Sequence, residues 1–83
     1  MASGLLDRLV GISQEELALL RKLKEVGAAG EDELAVKLNR SGDDLTPEIS
    51  NLVKRNLLQV KTFKHEDEEF QVYLTAPEIQ SLL

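Results

Sequence analysis

The stretch that decides the fold is residues 45–60, LTPEISNLVKRNLLQV, because the period of its apolar residues changes part of the way along. Thr46-Pro47 is a strong helix start, with Thr as N-cap and Pro at the first helical position. The apolar residues that follow recur every three or four positions, which predicts one buried helix face; they are Ile49, Leu52, Val53 and Leu57. From Leu58 onward apolar and polar residues alternate, which is typical of a β-strand.

A β-hairpin is predicted directly after this helix. Residues 58–64 and 70–74 form its strands, and His65–Glu69 form a polar tip. We predict the register that places all three apolar residues of the second strand on one face, since a shift by one residue would turn them outward. The predicted pairs are Val60 with Leu74, Thr62 with Val72, and Lys64 with Phe70.

Phe63 and Tyr73 fall on the outward face of the hairpin in this register. Two exposed aromatic side chains on so small a ribbon indicate a contact surface. The alternative is that they pack against the N-terminal helix, whose apolar face holds Leu5, Leu6 and Leu9.

Two helices are predicted in the first part of the chain. A short amphipathic helix follows Ser3, a candidate N-cap, and ends near Gly11. The segment Ser13–Glu16 is a capping box, in which the Ser and Glu side chains each accept a backbone N–H of the other residue. It starts a second helix, and Gly27 is a natural end for it.

Two more helices complete the chain. One is predicted over Glu31–Asn39, with three acidic residues in its first turn, where the helix dipole favours them. The capping box Thr75–Glu78 starts a short last helix. The whole chain, residues 1–83, is long enough for one domain. The apolar faces predict a buried core of Leu20, Leu23, Leu34, Leu38, Ile49, Leu52, Val53, Val60, Val72 and Leu74.

This order of elements resembles the winged helix-turn-helix fold, in particular the small bacterial and archaeal regulators of the MarR and ArsR type. Three segments carry the resemblance: Glu33–Leu38 (ELAVKL), Leu45–Val60, and Tyr73–Thr75 before a helix start. It covers residues 13–80 and implies a mainly α fold: a three-helix core, a two-stranded antiparallel wing, and short N- and C-terminal helices. It further implies a DNA-binding transcriptional regulator with the helix Thr46–Asn56 as recognition helix.

The distribution of charge supports a DNA interface on such a frame. The chain carries −5, yet residues 37–64 hold six basic and three acidic side chains, for a charge of +3. In the major groove Asn51 would pair with adenine, Ser50 would reach a base or a phosphate, and basic residues would neutralise phosphates. The predicted double-stranded DNA contacts are Arg40, Ser41, Ser50, Asn51, Lys54, Arg55, Lys61 and Lys64. The alternative is that these are ordinary solvated residues.

The acidic segments keep a second function open. The turn Asn39–Leu45 is longer by a residue or two than in the resembling families, and it contains Asp43 and Asp44. The hairpin tip carries four carboxylates where a DNA-contacting wing typically has Arg or Lys. Because carboxylates and phosphates repel each other, both features favour a winged-helix protein-protein interaction module without DNA binding.

A weak homodimer is predicted through the terminal helices, because their apolar surface exceeds what so small a core covers. The predicted interface residues are Leu5, Leu6, Leu9, Ile79, Leu82 and Leu83. The N-terminal apolar face could instead lie on a membrane, but Arg8 is its only basic residue. Docking on the chain's own core or on a twin subunit is therefore favoured over a membrane.

Neither a catalytic nor a metal site is predicted. The chain has no Cys and one His, and its serines lack a base at usable spacing. His65 beside four carboxylates lacks the spacing of metal ligands, so a solvated tip is favoured there. We therefore expect no enzyme activity and no cofactor. The absence of Cys and of an apolar run of ~18 residues favours a cytoplasmic protein.

Overall fold

Five helices and a two-stranded antiparallel hairpin make up the described part of the chain. The computed structural model describes residues 4–83, apart from the side chains of Leu5 and Leu6. The helices are α1 (Gly4–Leu9), α2 (Gln14–Val26), α3 (Glu31–Lys37), α4 (Thr46–Lys54) and a C-terminal 3₁₀ helix (Pro77–Leu82). The strands are β1 (Leu58–His65) and β2 (Glu68–Thr75). The predicted combination of helices with a hairpin is confirmed, while the N-cap predicted at Ser3 lies outside the described residues.

α2 begins and ends where the sequence predicts. The Ser13 hydroxyl accepts the N–H of Glu16 at 3.0 Å, and the Glu16 carboxylate accepts the N–H of Ser13 at 2.8 Å, which confirms the capping box. Gly27 follows the helix with a φ of 94°, a left-handed value that glycine adopts without a steric penalty. Its N–H donates to the carbonyl of Leu23 at 2.8 Å, which closes the last turn.

α4 starts with a different cap from the predicted one. Thr46 is its first residue, and Leu45 holds the N-cap position. A carboxylate oxygen of Asp44 accepts the N–H of Thr46 at 3.0 Å, so Asp44 satisfies one of the free N–H groups of the first turn. The Thr46 hydroxyl donates to Glu31 at 3.1 Å, which joins the first turns of α3 and α4. The helix also ends at Lys54, earlier than predicted.

The core lies between α2, α3, α4 and the base of the hairpin. The buried apolar residues are Leu19, Leu20, Leu23, Ala29, Leu34, Ala35, Leu45, Ile49, Leu52, Leu57, Leu58, Ala76 and Ile79. Half of the predicted core is confirmed, namely Leu20, Leu23, Leu34, Ile49 and Leu52. The other five predicted residues are not fully buried: Leu38, Val53, Val72 and Leu74 are half-buried, and Val60 is exposed.

The hairpin register differs by one residue from the predicted one. A two-residue turn, Glu66-Asp67, closes the hairpin in place of a five-residue tip, and this turn fixes the pairing. The observed pairs include Leu58 with Thr75, Val60 with Tyr73, Lys61 with Val72, Phe63 with Phe70, and Lys64 with Glu69. The predicted pairs of Val60 with Leu74, Thr62 with Val72 and Lys64 with Phe70 are therefore wrong. Tyr73 lies on the opposite face from Phe63, not beside it.

Two anchors at the base of β2 explain this register. The Thr75 side chain is fully buried, and its hydroxyl donates to the carbonyl of Leu20 at 2.7 Å. The predicted capping box Thr75–Glu78 is wrong, because Ala76 holds the N-cap position of the last helix and no side chain caps it. On the other edge of β2, Ala29 exchanges two backbone hydrogen bonds with Tyr73, at 2.8 and 3.0 Å. These long-range contacts hold β2 against α2 and bring the start of α3 beside the strand.

Thr75→Val is expected to lower the free energy of unfolding by about 1 kcal/mol, because it removes a buried hydrogen bond without changing the side-chain shape. Urea denaturation measures the change. Thr62→Val is the matched control, since Thr62 is an exposed residue of the same hairpin. Equal effects of the two substitutions would contradict the anchoring role of Thr75.

Candidate interaction groove

A groove runs between the N-terminal ends of α3 and α4 and the edge of β2. The hydrogen-bonded bridge between Ala29 and Tyr73 positions it, because the chain turns into α3 directly after this bridge. Gly30 marks the closest approach, since a Cβ there would lie 3.4 Å from the Gln71 carbonyl oxygen. The groove encloses about 630 Å³, and a cavity of about 370 Å³ extends it along α4 toward Lys54.

The wall that the two cavities share is partly apolar. Ile49 from α4 and Tyr73 from β2 line both of them, together with the polar residues Ser50 and Gln71. Val53 and Val60 continue this wall in the smaller cavity. Ile49 is buried in the core, so the wall is held by the packing of the domain. An apolar side chain of a ligand would find a preformed surface here.

Carboxylates surround the wide end of the groove. Glu31, Asp32 and Glu33 come from the first turn of α3, and Glu69 comes from β2. Among the described residues that line this end there is no Lys or Arg. Burial, and secondly the Glu31 carboxylate, raise the pKa of the Tyr73 phenol above its ordinary value. The negative charge therefore reaches the shared wall, and this end favours cations over phosphates.

Arg40, a predicted DNA contact, is paired within its own chain. Its guanidinium donates to both carboxylate oxygens of Glu48, at 2.7 and 2.8 Å, and also to Asp43 at 3.1 Å. The hydrogen bonds with Glu48, and then those with Asp43, raise the pKa of Arg40 further above its ordinary value. Such a two-pronged arginine–carboxylate pair is among the stronger hydrogen-bonded contacts. A phosphate would have to displace two carboxylates to reach Arg40.

Asn51 and Arg55 are also used inside the molecule. The Asn51 amide donates to the Glu16 carboxylate at 2.6 Å, and the Arg55 guanidinium donates to the carbonyl of Val10. Both side chains are half-buried. The expectation that Asn51 faces outward toward base edges is wrong, because its amide faces α2.

The other five predicted DNA contacts are exposed; they are Ser41, Ser50, Lys54, Lys61 and Lys64. Lys61 and Lys64 lie on opposite faces of the hairpin, since side chains alternate along a strand and these two residues are three apart. Lys64 lies directly opposite Glu69 in the strand register. The basic residues of the hairpin therefore do not form one basic face.

The predicted dimer residues are divided between core and surface. Three of them contact the core of their own chain: Ile79 is fully buried, and Leu9 and Leu83 are half-buried against it. Leu82 is exposed. The side chains of Leu5 and Leu6 lie outside the described residues. The apolar surface described at the terminal helices is therefore smaller than the sequence predicts.

The Glu16 carboxylate connects α2 to α4 and predicts a pH dependence of stability. Burial acts to raise its pKa, but hydrogen bonds from Ser13 and Asn51 outweigh burial, so the pKa is lowered from its ordinary value of 4.5. The ionised carboxylate thus stabilises the fold fully above pH 4.5, and this contribution is lost as the pH falls below that value. Urea denaturation from about pH 7 to about pH 3 should show a smaller acid loss in Glu16→Gln than in the wild type.

Glu15→Gln is the matched control for this pH dependence. It removes an exposed carboxylate from the same helical turn without touching Ser13 or Asn51. If Glu16→Gln and Glu15→Gln change the pH profile equally, the role assigned to the Glu16 hydrogen bonds is wrong.

Sequence patterns do not predict the groove, although they do single out its acidic residues. The carboxylates of Glu31–Glu33 are explained locally by the helix dipole, and Glu69 is explained as part of a solvated tip. Only the bridge between Ala29 and Tyr73 brings the two sets together. The short segment Gly27–Gly30 between two helices is the one local signal for such a close approach, because glycine permits it.

Within residues 4–83, no helix has both the length and the apolar character needed to cross a bilayer. The side chains described there include no group of three or more metal-ligating residues in position to hold an ion. A scan against protein-family models finds no match, and no curated protein or solved structure matches the chain. Function must therefore be argued from the geometry of the molecule.

Proposed function

We propose that this protein is a winged-helix protein-interaction module, similar in frame to the small MarR- and ArsR-type regulators, whose groove binds a basic segment of a partner protein. On this frame α3 and α4 correspond to the helix-turn-helix pair, and the hairpin corresponds to the wing. The observation that carries the proposal is the composition of the groove, in which a partly apolar wall adjoins four carboxylates.

An extended peptide with a basic residue next to an apolar one fits this groove. Its Lys or Arg would lie among the carboxylates at the wide end, where charge-assisted hydrogen bonds are available. Its apolar side chain would contact Ile49 and Tyr73 on the shared wall. Specificity then comes from the distance between the acidic end and this wall.

The internal pairing of Arg40, Asn51 and Arg55 supports the same proposal. A DNA reader keeps such residues available for phosphates and base edges. In this protein all three bind other parts of the domain. Arg40 binds Glu48 on α4, and Asn51 binds Glu16 on α2. Arg55 binds the carbonyl of Val10 after α1. Their presence in the sequence is thereby explained by the stability of the domain.

Selection from a display library of random peptides tests this function. The wild-type protein should enrich peptides that contain Lys or Arg beside an apolar residue. Repeating the selection at about 0.5 M salt should reduce the preference for basic residues, because salt screens exposed charges. The absence of enrichment, or enrichment of acidic peptides, would contradict the proposed function.

Duplex DNA is the second candidate ligand, and the exposed lysines favour it. Lys54, Lys61 and Lys64 form no ion pair with any residue in the described part of the chain. Ser50 lies one helical turn before Lys54 on α4 and is also exposed. In a DNA reader, the three lysines would make phosphate contacts and Ser50 would reach a base or a phosphate.

Fluorescence anisotropy with a labelled duplex at low salt separates the two candidates. A DNA reader should bind, and Lys54→Ala should reduce its salt slope by ~1. Replacing the four carboxylates of residues 66–69 by Gln or Asn should tighten DNA binding, because it removes their repulsion of the phosphates. The protein-interaction proposal predicts no binding by the wild type or by either variant.

A further inference from the structure

The outer face of the hairpin is an apolar surface that does not pack on the core. Phe63 and Phe70 lie directly opposite each other on it and are 53% and 46% exposed. Val72 and Leu74 continue the stripe toward the body of the domain, and both are half-buried without packing against the described core. Only Phe70 also borders the groove. So large an apolar fraction on a short ribbon indicates a contact surface.

The charge of this face indicates what can cover it. Lys61 lies toward its base and Glu68 lies at its tip, so these two charges cancel. The chain as a whole carries −5. Two copies of this chain repel each other across most orientations, but they can approach through this nearly neutral face.

We propose that the outer face of the hairpin binds the same face of a second copy, with the two hairpins running in opposite directions. The two-fold axis passes at the level of the Phe63–Phe70 pair, so these rings contact their equivalents. The Lys61–Val72 level of each hairpin then lies over the tip of the other. This arrangement brings Lys61 of each copy toward Glu68 of the second copy.

Charge selects this orientation over its alternative. If the hairpins ran in the same direction, the two tips would meet, and each tip carries the four carboxylates of residues 66–69. The opposite orientation separates the tips and places each beside a lysine. Phe70 borders the groove, but Glu69 points to the opposite face of the hairpin and the other three carboxylates belong to α3, so the acidic end is not part of the dimer contact.

The small size of the contact predicts weak association. Strands of eight residues span about 26 Å at ~3.3 Å per residue, and two strands are about 10 Å wide. The contact therefore covers at most about 260 Å² per copy, below the ~600 Å² per partner at the lower end of stable interfaces. We expect monomers at low micromolar concentration and dimers in the high micromolar range.

Sedimentation velocity from about 10 μM to about 1 mM tests the dimer. The wild type should shift from monomer toward dimer, whereas Phe63→Ser with Phe70→Ser should remain monomeric. Val36→Ser and Leu82→Ser are controls that each remove another exposed apolar residue, and both should still associate. A monomeric wild type throughout would overturn the proposal. Loss of the dimer in Leu82→Ser but not in the Phe variant would also overturn it, in favour of the terminal helices.

A charge exchange tests the orientation of the two hairpins. Lys61→Glu should weaken association at least tenfold at low salt, and Glu68→Lys should do the same, because each places like charges together. Combining Lys61→Glu with Glu68→Lys should restore the wild-type dimer, since the opposite charges meet again. Circular dichroism checks that each variant is folded. Failure of the combined variant to associate would overturn the proposed orientation.

Discussion

Leu52→Ala is expected to lower the free energy of unfolding by about 2–5 kcal/mol, measured by urea denaturation. Leu52 is fully buried in the middle of α4, so truncation leaves a cavity as well as removing apolar contacts. Lys54→Ala, an exposed position on the same helix, is the control and should change stability by less than ~0.5 kcal/mol.

A loss below ~0.5 kcal/mol for Leu52→Ala would mean that α4 packs with another face toward the core. Such a result would also remove the groove, because Ile49 lies one turn before Leu52 and owes its place in the wall to the same packing. The stability of this variant therefore tests both the core and the geometry on which the proposed function depends.

Charge reversal at the wide end of the groove is expected to have the largest effect on binding. Glu31→Lys combined with Glu69→Lys should weaken the binding of a selected basic peptide at least tenfold, which is about 1.4 kcal/mol. The carboxylates that attract the peptide become cations that repel it. Isothermal titration calorimetry measures the two affinities.

The matched control is Glu15→Lys combined with Glu25→Lys, which changes the net charge by the same amount on exposed positions of α2. Neither position borders the wide end of the groove. If the control weakens the peptide as strongly as the groove variant does, the peptide is attracted by the overall charge and not by the groove.

Features that depend on a few neighbouring residues could be predicted from the sequence. The capping box Ser13–Glu16 and the end of α2 at Gly27 are of this kind, because the hydrogen bonds that define them span three or four residues. The change from helix to strand near Leu58 could also be predicted, because apolar residues recur every three or four positions in a helix and every two positions in a strand. The number and order of the elements followed from such local signals.

The hairpin register could not be predicted in the same way. Apolar residues of β2 lie on its outer face, so a rule that turns every apolar stripe inward gives the wrong pairing. The register is instead set by the two-residue turn and by contacts of Thr75 and Tyr73 with distant parts of the chain. If a partner surface covers the outer face, the apolar residues of β2 are buried there, and the rule that apolar residues avoid water holds again.

The candidate site was the least predictable part for a related reason. Arg40 and Asn51 have the chemistry of DNA contacts. No pattern near them in the sequence predicts that they bind Glu48 and Glu16. Glu16 is 35 positions from Asn51, and only the packing of α2 against α4 joins them. The residue type predicts which ligands these side chains are able to bind. The fold determines whether they are free to bind a ligand or are already hydrogen-bonded within the domain.

A two-dimensional NMR titration of the labelled protein tests the proposed function most directly, with a selected basic peptide and a duplex DNA added in the same low-salt buffer. The peptide should shift the amide signals of the groove, at residues 30–33, 49–50 and 69–73, and the DNA should shift none. Salt-dependent shifts of α4 and hairpin amides with DNA, together with no response to the peptide, would contradict the protein-interaction function and favour a DNA reader.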